Sequence, residues 1–477
     1  MELIYDPGEN DRFWNEISQL PGFPTDDKIS LEKMIFESDA LFAIPSILLE
    51  SGLEQGESVL LVIDPTPMRR GKDSLKPLVI KVLEQAGYQV IQLILEPDES
   101  GQVHTDMDHI EIVKRQLKKN LTVISVGSGV VTDITKHACY LYEQEKNESI
   151  FFIVFQTANS VSAYTSDMAP VFVQGVKRTL ASRYPNILIC DLETLVDAPL
   201  EMTVAGVGDL LAAFVSFPDW YIAYHLGMDE HYTTLPQYLM GDLDQIFLEY
   251  AIDIRKPTLK GMEVLAKLIS LGGLAMSLSH ATTPMSGYEH VISHVLDMIQ
   301  EHQKEELTQH GSQVSLAAVM ASLSYQDFLR DFDPIRVNIN TIFPSKQMMN
   351  KNVKDAFIQV DPSGKAGNEC WSDYEQKLDK WAKNSDQIKN FLKNWAEHKK
   401  KIEPLTRTPK RILDVLTTID APLRFRDLVP SIKSEDAHFA FFNAPLMRKR
   451  LTLGDLLIFF DWDRDSLWQE ITKLGVL

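Results

Sequence analysis

Two near-continuous apolar runs, Ser58-Val-Leu-Leu-Val-Ile63 and Leu121-Thr-Val-Ile-Ser-Val126, constrain this chain more than any other feature. A strand with one face in water alternates apolar and polar residues. A strand without that alternation is buried on both faces, the condition of a parallel sheet covered by helices. The surrounding pattern agrees. A helical stretch follows the first run through Leu83 and ends at Gly87, and 88–95 reads as the next strand. Residues 110–119 are helical, and 149–155 and 187–190 are further short apolar strands. This alternation predicts a doubly wound, mainly parallel, Rossmann-like α/β domain over residues 1–195.

Beyond about residue 196 the strand signal ends. Helical periodicity takes over at 203–225, 243–254, 261–280, 289–306 and 314–331, so 196–477 is expected to form an all-α domain. Residues 333–410 are less regular. They hold the turn Asp361-Pro-Ser-Gly364 and a lysine-rich helix, 388–401, expected at the surface.

A chain of 477 residues with 44% apolar and 24% charged residues has the composition of a globular protein of two domains. Its net charge of −20 argues against nucleic-acid partners, which need a basic face to release phosphate counterions. An anionic substrate requires a local basic patch within that field. Cys139, Cys190 and Cys370 have no metal-ligand spacing and suit free thiols in a reducing cytoplasm. Met1-Glu-Leu-Ile-Tyr-Asp6 lacks the basic and apolar regions of a secretory signal, so a cytoplasmic location is expected. The longest apolar stretch, 264–278, contains Lys267, Gly272 and Gly273. It is too short and too polar to span a bilayer and reads as a buried helix.

Gly127-Ser128-Gly129-Val130-Val131-Thr132-Asp133 stands where the second apolar run ends and a helix begins. Glycines let the backbone approach a pyrophosphate, and a helix N-terminus offers N–H groups and the positive end of a dipole. The same residues also make an ordinary tight turn. Asp64 ends the first run, where a carboxylate can accept from adenosine ribose hydroxyls or simply cap the loop before Pro65. Arg69 and Arg70 would tolerate a 2′-phosphate, so NAD is favoured and NADP stays open.

Asp209 lies in Gly206-Val-Gly-Asp209, read as the start of a helix. His290 and His294 are spaced to share one helical face, and His310 precedes Gly311. One carboxylate and two imidazoles, Asp209, His290 and His310, leave coordination positions open as a catalytic metal requires, and zinc, nickel and iron all accept such ligands. Taken singly, each histidine is more often a packed or surface residue than a ligand, and the i, i+4 pair with a carboxylate brings the two readings about level. A nucleotide and a Lewis-acid metal in one chain point to hydride transfer at a carbonyl.

Together these segments resemble the iron-containing alcohol dehydrogenase, glycerol dehydrogenase and dehydroquinate synthase superfamily, and within it the bacterial-type sn-glycerol-1-phosphate dehydrogenases. The matching motifs are Val126-Gly-Ser-Gly129 with Asp133 and Lys136, Thr157-Ala158-Asn159-Ser160, Gly175-Val-Lys-Arg-Thr179 and Asp191-Leu192 before Ala198-Pro199. Further along they are Gly206-Val-Gly-Asp209 before Asp219-Trp220, Gly287-Tyr-Glu-His290, His294, His310-Gly311, and Met447-Arg-Lys-Arg450 with Thr452. The resemblance implies a dehydroquinate synthase-like fold, with a dinucleotide domain, a helical domain and a site in the cleft joining them. It implies that Asp209, His290 and His310 hold a divalent metal and that His294 reaches the substrate. Asp64, Gly127 to Val131, Asp133, Thr157 to Ser160 and Ser166 would line NAD or NADP. The implied reaction reduces dihydroxyacetone phosphate to sn-glycerol 1-phosphate, in a homo-oligomer.

Three positions depart from the family pattern. Ser162-Ala163 replaces an Asp-Gly whose carboxylate contacts substrate hydroxyls. His310-Gly-Ser-Gln313 replaces His-Gly-Glu-Lys, and Val130 replaces Thr. The metal side of the pattern is kept and the substrate side is altered. A dehydrogenase of another small polyol or keto-phosphate, or a non-catalytic family member, therefore stays open. A dehydroquinate-synthase-like cyclase is disfavoured, because that class carries Glu at the position of Asp209.

Overall fold

The continuous apolar runs form neighbouring strands at the heart of a six-stranded, all-parallel sheet. The computed structural model describes residues 3–25, 29–98, 101–173 and 176–477. The strand order is Lys33–Glu37, Ile187–Asp191, Phe151–Gln156, Thr122–Gly127, Ser58–Ile63, Gln89–Ile94. Ser58–Ile63 pairs on one side with Gln89–Ile94 and on the other with Thr122–Gly127, in the register Ile63 to Val126. Val59, Leu61 and Ile63 pack with Ile124, Val126, Ile153, Phe155, Ile187 and Ile189. The helices Ile44–Glu50 and Leu75–Gln85 add Ile47, Leu48, Leu75, Val79 and Leu83 to that layer. Helix Gly129–Lys146 packs against Thr122–Gly127 and Phe151–Gln156. Removing this apolar area from water contributes roughly 25 cal/mol per Å², which is why runs without polar alternation settle at the centre. Gln89–Ile94 is an edge strand, and its exposed positions show it.

Five strands carry no clear sequence signal. Lys33–Glu37 is short and charged at both ends, yet joins the sheet edge beside Ile187–Asp191. Met168–Val173 and Val176–Ala181 form a separate two-stranded sheet, and Arg69–Arg70 pairs with Asp73–Ser74. Gly175 of the family motif lies outside the described residues.

The chain divides into two compact units. The first comprises the described residues of Met1–Val173 with Arg178–Leu210 and Tyr238–His280. The second comprises Leu211–Gln237 and Ala281–Leu477, with a short segment ending at Lys177. From Leu192 onwards the described elements are helical. The helix expected over 203–225 is two, Leu200–Leu210 and Ala213–His225; nothing local announces the break, and Pro218 sits inside the second. Asp209 is consequently in the last turn of the first helix, not at the start of one. Leu200–His225 has the length and hydropathy of a membrane span but is largely buried within the protein. The 264–278 stretch belongs to the buried helix Leu259–Ser277, and the three cysteines are buried and form no disulfide.

Residues 333–410 are more regular than their composition suggests, with helices Lys346–Phe357, Lys365–Lys383, Ser385–Lys393 and Trp395–Ile402. The 388–401 helix is thus two shorter ones that bury Ile388, Phe391, Trp395 and Ile402. Lys377 forms a fully buried ion pair with Asp455 at 2.6 Å and also donates to the Pro445 carbonyl. Removing one member of such a pair would leave an uncompensated buried charge.

His137, on helix Gly129–Lys146, is 3% exposed, and burial together with Lys136 pushes its pKa down to about 4. The contribution of the neutral ring is whole above about pH 6.5 and is lost as the pH falls to about 4, because the unfolded chain takes up the proton first. Stability should therefore fall over that window by on the order of 1–2 kcal/mol from this residue after solvent screening. Unfolding midpoints of wild type and His137→Phe, measured from pH 7 to pH 4, should show a shallower decline in the variant; parallel curves would refute the assignment.

Candidate functional site

In the first unit, parallel pairing brings three carboxyl strand ends side by side. Ile63 is paired with Val126, and Gly127 with Gln156, so Asp64, Gly127-Ser128-Gly129 and Thr157 follow from adjacent strands. In open α/β sheets this is where ligands bind, at the point where the strand order reverses. Ser128 is extended and occupies the N-cap position of helix Gly129–Lys146, with no capping bond from its side chain. Thr157 donates its N–H to the Gly127 carbonyl, tying the two loops together. A Cβ on Gly127 would fall 2.6 Å from the Val131 side chain, and one on Gly129 would meet Val161 at 2.5 Å. Both glycines are thus demanded by the protein's own packing.

Other residues singled out from the sequence have partners within the same unit. Asp64 is nearly buried and accepts from Lys76 Nζ at 2.6 Å and from the Thr66 hydroxyl. Lys76, which sequence reasoning missed, also donates to the Asp64 and Thr66 carbonyls. Arg70 is bound to Asp191 and Asp39. Asp133 pairs with the fully buried Lys136 at 2.8 Å, and Lys136 donates to the Ala163 carbonyl. Asn159 donates to the Met262 carbonyl and accepts from Gln156. The Ala158 carbonyl accepts from Tyr164, the Ser160 hydroxyl lies 3.4 Å from the Tyr164 hydroxyl, and Ser166 accepts from the Met168 N–H.

Helix Leu200–Leu210 comes so close to this segment that a Cβ on Gly206 would overlap the Asn159 carbonyl oxygen. The approach places Asp209 against Ser162, whose N–H and hydroxyl both donate to Asp209 Oδ2, at 3.0 and 2.9 Å. Ser162 thus contacts a candidate metal ligand directly. The signal in the sequence was the pair of departures Ser162 and Ala163, read there as a change on the substrate side.

In the second unit, His290 and His294 on helix Tyr288–Gln303 meet His310, the first residue of helix His310–Asp331. Ring centroids are 5.1 Å apart for His290 and His310, 5.5 Å for His294 and His310, and 6.0 Å for His290 and His294. Hydrogen-bond partners assign the tautomers. His290 Nδ1 lies 2.8 Å from Glu289 Oε1, an acceptor, so Nδ1 carries the proton. His310 Nδ1 lies 3.1 Å from Ser293 Oγ, whose own proton goes to Gln313 Oε1, so Nδ1 is again the donor. Both rings therefore present an Nε2 lone pair. His294 is the reverse. Its Nδ1 accepts from Arg448 Nη2 at 2.7 Å, and a guanidinium only donates, so the ring proton is on Nε2. Burial, with Arg448 and Lys177 next, holds His294 well below the usual histidine range.

Polar groups that the sequence did not rank surround the three rings. Gln313 is fully buried and donates to Gln300, which donates to Thr308, extending the support of His310. Asp297 pairs with Lys177 at 2.7 Å and lies 3.9 Å from His310 Nδ1. Asp219 accepts from the Tyr288 N–H, the Leu453 N–H and the Tyr325 hydroxyl, and burial pushes its pKa up to about 8. It joins the start of the His290 helix to helix Leu453–Phe459.

With this geometry in view, comparison with known proteins places the chain. Residues 35–199 match the model of the family described as iron-containing alcohol dehydrogenase. The superfamily resemblance read from the motifs is upheld. The chain is 34% identical over 260 residues to glycerol-1-phosphate dehydrogenase (NAD(P)+) of Bacillus subtilis (strain 168), covering 53% of this chain and 64% of that protein. It is 29% identical over 299 residues to the protein of the same name from Geobacillus stearothermophilus, covering 62% and 70%. The chain thus spans a little under two thirds of the Bacillus subtilis relative. Among solved structures, glycerol dehydrogenase from Schizosaccharomyces pombe aligns with a TM-score of 0.55 at 13% identity, over 95% of this chain and 94% of that one. At that identity the likeness shows the fold alone, a parallel sheet followed by a helical region, which is the dehydroquinate synthase-like architecture.

Gly206 offers a direct test of the packing described above. Gly206→Ala forces either the helix or the Asn159 segment to shift, and should cost on the order of 3 kcal/mol. Gly367→Ala, in helix Lys365–Lys383, meets only ordinary contacts from 3.6 Å and should be neutral or stabilising by up to about 1 kcal/mol. Thermal unfolding of both variants would show this contrast, and equal midpoints would refute the close approach.

Proposed function

We propose that the protein is a metal-dependent, NAD(P)-linked oxidoreductase that reduces dihydroxyacetone phosphate to sn-glycerol 1-phosphate. The observation that carries the reading is the division of the three histidines. His290 and His310 are protonated at Nδ1 and offer Nε2 lone pairs, while His294 offers an N–H. Ligating histidines characteristically give their other N–H to a carboxylate or hydroxyl, as these two do. A carboxylate and two imidazoles of this kind would make a donor set suited to zinc, nickel or iron(II). We assign Asp209, His290 and His310 to one divalent ion.

The dinucleotide is assigned to Asp64, Gly127, Ser128, Gly129, Val130, Val131, Asp133, Thr157, Ala158, Asn159, Ser160 and Ser166. In this reading residues 1–195 serve the cofactor, and 196–477 supply the metal and substrate groups. Lys76 offsets the charge of Asp64, which supports acceptance of NADP as well as NAD. When bound, the ion supplies Lewis-acid polarisation of a carbonyl, and the reduced nicotinamide supplies hydride. His294 would offer its Nε2–H as a hydrogen bond to the developing alkoxide, and the proton that completes the hydroxyl comes from solvent. Lys177 and Arg448, beside the histidines, support a phosphorylated substrate against the overall negative charge. The names of the bacterial relatives agree with this substrate. A second reading, another small polyol or keto-phosphate, is favoured by Ser162, which gives its hydroxyl to Asp209.

Purified protein should oxidise NADH or NADPH with dihydroxyacetone phosphate once a divalent metal is supplied, and the product should be the sn-1 enantiomer. His290→Ala and His310→Ala should lose bound metal and lower turnover by on the order of 10³. His294→Ala should keep the metal and lose turnover. Metal retained in full by both ligand variants would refute the donor set, and turnover on a different carbonyl alone would select the second reading.

A further inference from the structure

The turn that carries Ser162 is locked from several sides within the first unit. Lys136, fully buried and paired with Asp133, holds the Ala163 carbonyl at 2.8 Å. Thr165 donates to the Ser270 carbonyl at 2.7 Å. Gly272 and Gly273 lie so close beneath the turn that a Cβ on the first would sit 3.0 Å from Ser162 Oγ, and one on the second 2.7 Å from the Ser162 carbonyl. From this fixed base the Ser162 N–H and hydroxyl both reach a single oxygen, Asp209 Oδ2. Two donors on one oxygen restrict the rotation of the carboxylate.

We propose that Ser162 is a positioning residue for Asp209, fixing the carboxylate that receives the metal. A carboxylate at 162 would meet Asp209 with like charge, so a serine here gives up a substrate contact and gains an oriented ligand. Hydrogen bonds to ligating carboxylates orient them and tune metal affinity, and their loss typically weakens binding by roughly 10–100-fold. The proposal rests on Asp209 being a metal donor, as assigned above.

The test is Co(II) binding to the 477-residue chain, followed by equilibrium dialysis and by the ligand-field absorption of the bound ion. Ser162→Ala keeps the main-chain N–H and removes the hydroxyl. It should raise the Co(II) Kd by about 10-fold or more and shift the absorption bands, with the metal-free unfolding midpoint retained. Ser162→Thr, which keeps the hydroxyl, should recover most of the affinity. Should the alanine variant fail to fold, Ser162→Gly carries the same expectation, because it keeps the main-chain N–H and likewise removes the hydroxyl. An unchanged Kd in Ser162→Ala with a raised KM for the carbonyl substrate would overturn the proposal and leave Ser162 as a substrate contact. A wild-type chain that takes up no Co(II) would overturn the metal assignment and this proposal with it.

Discussion

The contact on which the first unit's chemistry depends is the absence of a side chain at Gly206. Helix Leu200–Leu210 can lie on the Asn159 carbonyl only because nothing projects from that position. The segment it lies on is itself held by Asn159 to Met262, by Tyr164 to Ala158 and by Lys136 to Ala163. Protein interiors are packed as tightly as organic crystals, so a displacement of a few tenths of an ångström is felt by every neighbour. The Asp209 carboxylate, in the last turn of the same helix, takes its orientation from this approach.

The second unit solves a different problem, that of holding three imidazoles close together without letting them become equivalent. Their partners differ in kind: a carboxylate for His290, a hydroxyl for His310 and a guanidinium for His294. A neutral imidazole has one donor and one acceptor nitrogen, and whichever partner is fixed by the fold decides which is which. Two lone pairs and one N–H result from three identical side chains. The network behind His310, through Ser293, Gln313, Gln300 and Thr308, is buried, where an unmade hydrogen bond is costly and a made one is rigid.

Some of this was legible in the sequence for simple reasons. The runs at 58–63 and 121–126 read as strands buried on both faces of a parallel sheet, because they lack regular polar alternation. The glycines at 127 and 129 stood at a strand-to-helix junction, and the spacing of His290 and His294 placed both on one helical face. Elements whose burial is decided by distant neighbours were not legible. Lys33–Glu37 looks like surface until it pairs with Ile187–Asp191. The break at 211–212 has no local marker, and 333–410 reads as irregular although packing around Lys377 and Trp381 makes it helical.

The sequence alone determined the class of fold and the list of chemically capable residues, because periodicity and residue type are local properties of the chain. Only the tertiary structure decided what those residues are bound to. Lys76 reaches Asp64, Ser162 reaches Asp209 and Arg448 reaches His294, the last two across 47 and 154 residues of chain. Protonation state, tautomer and charge depend on such partners and on burial, and both are properties of the folded chain that no stretch of sequence contains.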